Sequence, residues 1–262
     1  MNATAQAVNG PVFIVGAPRS GTSLLHWSLL EHPDFWGSEE TEFLRPIAQA
    51  VEQGYTEGTR FNDHSWLTAQ GVDQAEFAQA VGSGLDALFR SRSGGRRWVD
   101  QTPLYVHIGA PLAQMFPDAR FLFLVRDGRK VVSSMRRMWG WDMERAAHMW
   151  NRATRNGFQL ADSLGDRVLR VHFEALISRP EDSFWRILEF VGAPQNPACA
   201  AYVRDRPPIN AAPGSQHETA TDKLRFSPAD WSAEEQAQFD AIATETMRAL
   251  GYYEQAAAAP AK

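Results

Sequence analysis

Four short stretches of the chain are dominated by apolar, β-branched and aromatic residues: Val12–Val15, Arg97–Val99, Phe121–Val125 and Val168–Phe173. Each is too short for a globular helix and reads as a buried strand. Each is followed by residues whose apolar positions recur at three- and four-residue spacing: Thr22–Glu31, Leu104–Met115, Arg129–Met138 and Pro180–Val191. Strands that alternate with helices predict an α/β fold, a parallel sheet with helices on both faces. In such sheets ligands sit beyond the carboxyl ends of the strands.

Two longer amphipathic patterns predict helices over Met143–Ser163 and Ala233–Leu250, the second opened by a capping box of Ser232 and Glu235. Ser91–Arg96 reads as a flexible basic loop, and Arg206–Ser215 as a second loop without helix or strand signal. There is no internal repeat and no linker composition, so one domain over residues 1–262 is expected, with poorly ordered tails at about 1–10 and 255–262.

Composition narrows the class. The chain has 262 residues, 44% of them hydrophobic, enough for one large α/β core. Its net charge of −5 does not predict a nucleic-acid partner. Cys199 is the single cysteine, so no internal disulfide can form. The first ten residues have no secretory signal pattern. No apolar run reaches the roughly 18 residues of a membrane span. Together these features predict a cytoplasmic protein.

The most specific chemical signal follows the first strand. In Gly16-Ala17-Pro18-Arg19-Ser20-Gly21-Thr22-Ser23 a glycine-bounded loop feeds a helix, so that loop amides and a fresh helix N-terminus face an anion. The spacing is that of the nucleotide loop Gly-x4-Gly-Lys-Ser/Thr, but Thr22 stands in the lysine's place and Arg19 is the loop's cation. A second signal is the strand Phe121–Val125 ending in Arg126-Asp127-Gly128-Arg129, with Ser133 and Ser134 downstream. An arginine at a strand end near helix hydroxyls suits an isolated phosphate, the alternative being an Arg–Asp pair that caps the strand. Asp127 is also of the type that holds a metal, but its arginine neighbours argue against magnesium, and no metal site is expected. A third is Gly37-Ser38-Glu39-Glu40-Thr41, where a carboxylate at the mouth of a phosphate site could act as a general base.

Together these segments resemble the family of sulfotransferases that use 3′-phosphoadenosine-5′-phosphosulfate (PAPS), and most of all its tyrosylprotein branch. The resemblance rests on Pro18–Thr22, on Gly37–Thr41 with Ser38 inserted, and on Arg126–Arg129 with Ser134. It extends through Trp150-Asn151-Arg152 and Val171–Leu176 to Glu189–Gly192, roughly residues 11 to 194. It implies a P-loop-like sheet, PAPS as co-substrate and no metal requirement. It implies that Pro18, Arg19, Ser20, Gly21, Thr22 and Ser23 hold the 5′-phosphosulfate, that Arg126 and Ser134 hold the 3′-phosphate, and that Glu40 is the base with Arg19 stabilising the departing phosphate. Lys223 or Arg225 would close over the 3′-phosphate.

Three departures stand out. Gln101, in Asp100-Gln101-Thr102-Pro103, replaces a lysine that the family places beside the reacting groups, so its carboxamide takes that catalytic position without a charge. Phe173 replaces a tyrosine. Glu42 is acidic where the tyrosylprotein branch tends to be basic. Two basic clusters, Arg90/Arg92/Arg96/Arg97 and Arg129/Lys130/Arg136/Arg137, read either as solvated surface or as an electropositive rim. Trp139 and Trp141 read as core or as an acceptor cleft, and His107 as an alternative base. The expected partner is a peptide or protein acceptor, acidic in the branch it resembles; a homodimer is allowed for. The rival readings are a sulfotransferase for a small molecule, glycan or lipid, a P-loop kinase for a small substrate, and a nucleotide-binding module without catalysis.

Overall fold

The structure, a computed structural model, describes residues 10–205 and 231–254. Its centre is a five-stranded, wholly parallel sheet of β1 (Val12–Gly16), β2 (Phe35–Gly37), β3 (Arg97–Asp100), β4 (Arg120–Val125) and β5 (Val168–His172), in the order β2-β3-β1-β4-β5. Because β1 lies inside the sheet, the chain leaves it toward one edge and later toward the other. That reversal opens a crevice at the carboxyl end of β1.

The strands read as continuous apolar runs because both faces are covered. Phe13, Val15, Phe121 and Phe123 point into one core, while Val12, Ile14, Leu122 and Leu124 point into the other. The first core is closed by α2 (Leu44–Gly58), α4 (Gln74–Ser93), α5 (Gly109–Met115), α6 (Gly128–Trp139), α7 (Met143–Leu164) and α11 (Ala233–Ala249). The second is closed by α1 (Thr22–Leu29), α8 (Phe173–Ser178), α9 (Pro180–Val191) and α10 (Pro197–Asp205). Among the described residues one further short helix, α3 (Trp66–Ala69), falls between α2 and α4 in the chain.

All four predicted strands form, and the Ser232–Glu235 capping box starts α11. Several boundaries differ. The first helix stops at Leu29, two residues before its predicted end. The predicted helix over Leu104–Met115 is a 3-10 turn (Pro103–Ile108) followed by α5. Phe173 opens α8 instead of ending the strand. Ser91–Arg96 is not all loop: α4 runs through Ser93, and the turn is confined to Gly94 and Gly95, both at positive φ. The Arg206–Ser215 loop, Lys223, Arg225 and both predicted tails apart from Gly10 lie outside the described residues.

Candidate active site

Residues carried at the carboxyl ends of the five strands surround the crevice. After β1 the chain turns sharply: Arg19 adopts a left-handed backbone (φ 69°) and Gly21 has φ 104°. Gly21 admits no side chain, because a Cβ there would meet the Phe173 ring at 2.5 Å. Gly21 is also the N-cap of α1 and supplies no capping side chain, so the first amide donors of the helix remain for a ligand. Ser20 is 1% exposed, and its hydroxyl oxygen has no hydrogen-bond partner among the described residues. A buried hydroxyl without a partner costs stability unless a ligand satisfies it. Orphaned hydroxyl, free amides and an arginine make a donor set that fits an oxyanion. Burial, and then Arg137, hold the Arg19 guanidinium below its ordinary pKa, as expected of a cation taken partly out of water beside another cation.

The end of β4 meets this loop. Arg126 Nη1 donates to the Arg19 carbonyl at 3.4 Å, and Arg19 Nε donates to Ser134 Oγ at 3.2 Å. The Arg126 guanidinium lies 4.2 Å from the centre of the Phe173 ring. One aromatic side chain therefore packs against both the Gly16–Ser23 loop and the second arginine. Asp127 is committed elsewhere: it caps α6 through the Arg129 N–H at 2.9 Å and pairs with Arg129 Nη2 at 2.6 Å. The described residues contain no cluster of three or more His, Cys, Asp or Glu able to hold a metal.

The segment bearing Glu40 follows β2, a three-residue edge strand the hydrophobic pattern does not reveal. A side-chain network holds this segment against the end of β3. Asp100 accepts from the Thr102 N–H at 2.8 Å and from Thr102 Oγ1 at 3.3 Å. Thr102 Oγ1 accepts from the Thr41 N–H at 3.1 Å. The hydroxyls of Thr41 and Tyr105 share a hydrogen bond of 2.9 Å, and the Tyr105 oxygen accepts from the Leu44 N–H at 3.0 Å. Glu40 thus sits on a tethered loop while remaining an exposed residue. Partial burial of its carboxyl, then the charges of Glu42 and Asp100, hold its pKa above the ordinary carboxylate value. Gln101 is 6% exposed, and its Oε1 has no partner among the described residues.

His26 is a residue that motif reading overlooked. It lies on α1, fully buried, and its ring fills the space a side chain on Gly37 would need. It therefore packs α1 against the segment leading to Glu40. Neither ring nitrogen meets hydrogen-bond geometry among the described residues, although the Ser38 backbone and Glu39 oppose part of the shift. Burial dominates and pushes the pKa down to about 4. An unfolded histidine titrates near 6.5. The folded state therefore binds fewer protons below that pH, and stability falls as pH drops from about 6.5 to about 4. About 2 kcal/mol of unfolding free energy is expected to disappear between pH 7.5 and 5 through this residue. Urea unfolding at both pH values checks this: His26→Met should flatten the acid dependence, and an unchanged slope would remove His26 as its source.

The two basic clusters are not gathered in one place: Arg137 lies close enough to Arg19 to lower its pKa, whereas Arg97 and Arg90 are engaged elsewhere. Arg97 starts β3, at the opposite end of the sheet from the crevice, and its guanidinium donates to the carbonyls of Gly10 and Val191. Arg90 pairs with Asp86 at 2.5 Å, and Arg136 with Glu235 at 2.6 Å. His107 is bonded through Nδ1 to Asn156 Nδ2 at 2.7 Å; burial, then Arg152 and Arg45, lower its pKa. Trp139 is 42% exposed and packs on Trp141 at 4.7 Å, while Trp141 is half-buried and packs against the first core.

A profile of the sulfotransferase family matches residues 11–197. A protein-tyrosine sulfotransferase of Drosophila melanogaster is 29% identical over 224 residues, 81% of this chain and 44% of the relative. Protein-tyrosine sulfotransferase 1 of Danio rerio is 31% identical over 197 residues, 71% of this chain and 54% of the relative. The chain thus spans about half the length of these curated relatives. Among solved structures, the sulfotransferase domain of the Synechococcus PCC 7002 olefin synthase superposes with a TM-score of 0.59 at 22% identity, covering 93% of this chain and 98% of that one. The sulfotransferase domain of the curacin biosynthetic pathway gives 0.57 at 18% identity, covering 96% and 100%. Both likenesses are of fold.

Proposed function

Because this chain belongs to the sulfotransferase family, we propose that it transfers the sulfuryl group of PAPS to an acceptor hydroxyl, with a tyrosine of a peptide or protein as the favoured acceptor. The observation that carries this reading is the meeting of two arginines from two strand ends. Arg126 donates to the Arg19 carbonyl, and Arg19 donates to Ser134. Two anion sites side by side suit a nucleotide phosphorylated at both 5′ and 3′ positions better than a triphosphate held by one loop.

PAPS would supply the activated sulfuryl group. The α1 amides, Ser20, Thr22 and Ser23 would hold its 5′ end, with Pro18 and Gly21 shaping the loop. Arg19 would stabilise the charge that gathers on the departing phosphate oxygen. Arg126 and Ser134 would hold the 3′-phosphate. Glu40 would take the proton of the acceptor hydroxyl, and its raised pKa brings it nearer to that task. Gln101 would contribute a carboxamide donor. Arg45, whose backbone N–H donates to the Glu42 carbonyl, puts a cation beside the Glu40 segment and favours an acidic peptide. Glu42 near Glu40 favours the second reading, a neutral small-molecule, glycan or lipid hydroxyl.

The test is calorimetric titration with adenosine 3′,5′-bisphosphate (PAP), the expected product, against ATP–magnesium. Metal-independent binding of PAP, weakened roughly 10- to 100-fold by Arg126→Ala, is expected for loss of a charged hydrogen-bonding partner. A preference for ATP–magnesium would return the chain to the kinase reading.

A further inference from the structure

The end of the described chain folds back onto the strand end that carries Arg126. After α11, Gly251 takes φ 78°, and the Tyr252 N–H donates to the Met247 carbonyl at 2.9 Å, which reverses the backbone. The Tyr252 hydroxyl then donates to Glu174 Oε2 at 2.7 Å. The other Glu174 oxygen accepts from the Asp127 N–H at 3.0 Å, and that amide belongs to the residue after Arg126. Next to it, the Arg129 guanidinium lies 5.2 Å from the centre of the Tyr253 ring. The Tyr253 hydroxyl donates to Asp240 Oδ1 at 2.8 Å. The two tyrosines therefore tie the Arg126–Arg129 turn to α11.

We propose that Tyr252 is a positioning residue for 3′-phosphate recognition, acting through Glu174 on the backbone that aims Arg126. The inference rests on the reading of Arg126 as the 3′-phosphate ligand. Two physical effects follow from the Tyr252–Glu174 bond. It fixes the acceptor of the Asp127 amide and so the direction in which β4 delivers Arg126. It also engages a carboxylate that would otherwise lie bare beside an anion site, where it would repel phosphate. Burial, followed by Glu174, holds the phenol well above its ordinary pKa, so the hydroxyl remains a donor across the working pH range.

The experiment compares calorimetric affinities for PAP and for adenosine 5′-phosphate (AMP), which lacks the 3′-phosphate, in the wild type, Arg126→Ala, Tyr252→Phe and Tyr252→His. Tyr252→Phe is expected to narrow the preference for PAP over AMP by roughly 3- to 10-fold, the size of one net hydrogen bond, with AMP affinity unchanged. Tyr252→His, which keeps a donor, should restore part of the preference. An unchanged ratio, or equal weakening of both nucleotides, would overturn the proposal while Arg126→Ala still collapses the ratio. If Arg126→Ala leaves the ratio at its wild-type value, the 3′-phosphate reading itself fails and this proposal falls with it.

Discussion

Replacement of Glu40 by glutamine is expected to lower kcat by roughly 10²- to 10⁴-fold, the contribution of a positioned general base, with PAP affinity unchanged. The substitution keeps the shape of the side chain and removes only its capacity to take a proton. The Asp100–Thr102–Thr41–Tyr105 network is built from residues other than Glu40, so the loop should survive. A free phenol, with a pKa near 10, is too weak an acid for a resting carboxylate to deprotonate. In the proposed mechanism proton transfer would therefore accompany bond formation to sulfur. The elevated pKa of Glu40 predicts an acid limb in the pH–rate profile above the ordinary carboxylate range, and that limb should vanish in Glu40→Gln. Glu39→Gln is the control for loss of charge alone. Turnover close to wild type in Glu40→Gln would remove this residue from the mechanism.

Loss of Arg19 is the second large effect. Arg19→Ala is expected to lower kcat by roughly 10²- to 10³-fold, the scale on which removal of one transition-state donor acts. The position is demanding for two separable reasons. Its side chain supplies the only cation within the Gly16–Ser23 loop, and its backbone sits at φ 69°, where most side chains are disfavoured. Arg19→Gly relaxes the second requirement without meeting the first. Equal losses in the alanine and glycine variants would assign the effect to charge. Recovery in Arg19→Gly would assign it to backbone geometry and overturn the electrostatic role. Arg19→Lys should recover only part of the rate, because an ammonium cannot bond Ser134 through Nε while presenting a planar fork to phosphate.

The parts of the fold that could be read from the chain share one property: they are specified locally. A strand buried on both faces is a short continuous apolar run, and the Ser232–Glu235 capping box is four residues of side-chain chemistry. The parts that could not be read depend on neighbours. The three-residue strand β2 exists because β3 offers it a parallel edge, pairing Phe35 with Arg97 and Gly37 with Val99. Helix α4 carries Gly82 and Gly84 in its interior, which weakens any helical pattern. Gly82 is nonetheless required, since a Cβ there would collide with the Met115 backbone. The placing of Arg97 was hidden for a related reason: charge in sequence says nothing about which end of the sheet an arginine occupies or which carbonyl it meets.

The same division runs through the site. The Gly16–Ser23 turn, the Arg126 strand end and the Glu40 segment could be located from consecutive residues, because a turn with fixed glycines and a strand terminus are local features. That Arg19 reaches Ser134 and that Phe173 packs against both Gly21 and Arg126 follows from the folded arrangement alone. It alone placed His26 behind Gly37 and led Tyr252 back to Glu174. These contacts join residues far apart in the chain, brought together where parallel strands end side by side, and no local pattern encodes a meeting between two strand ends.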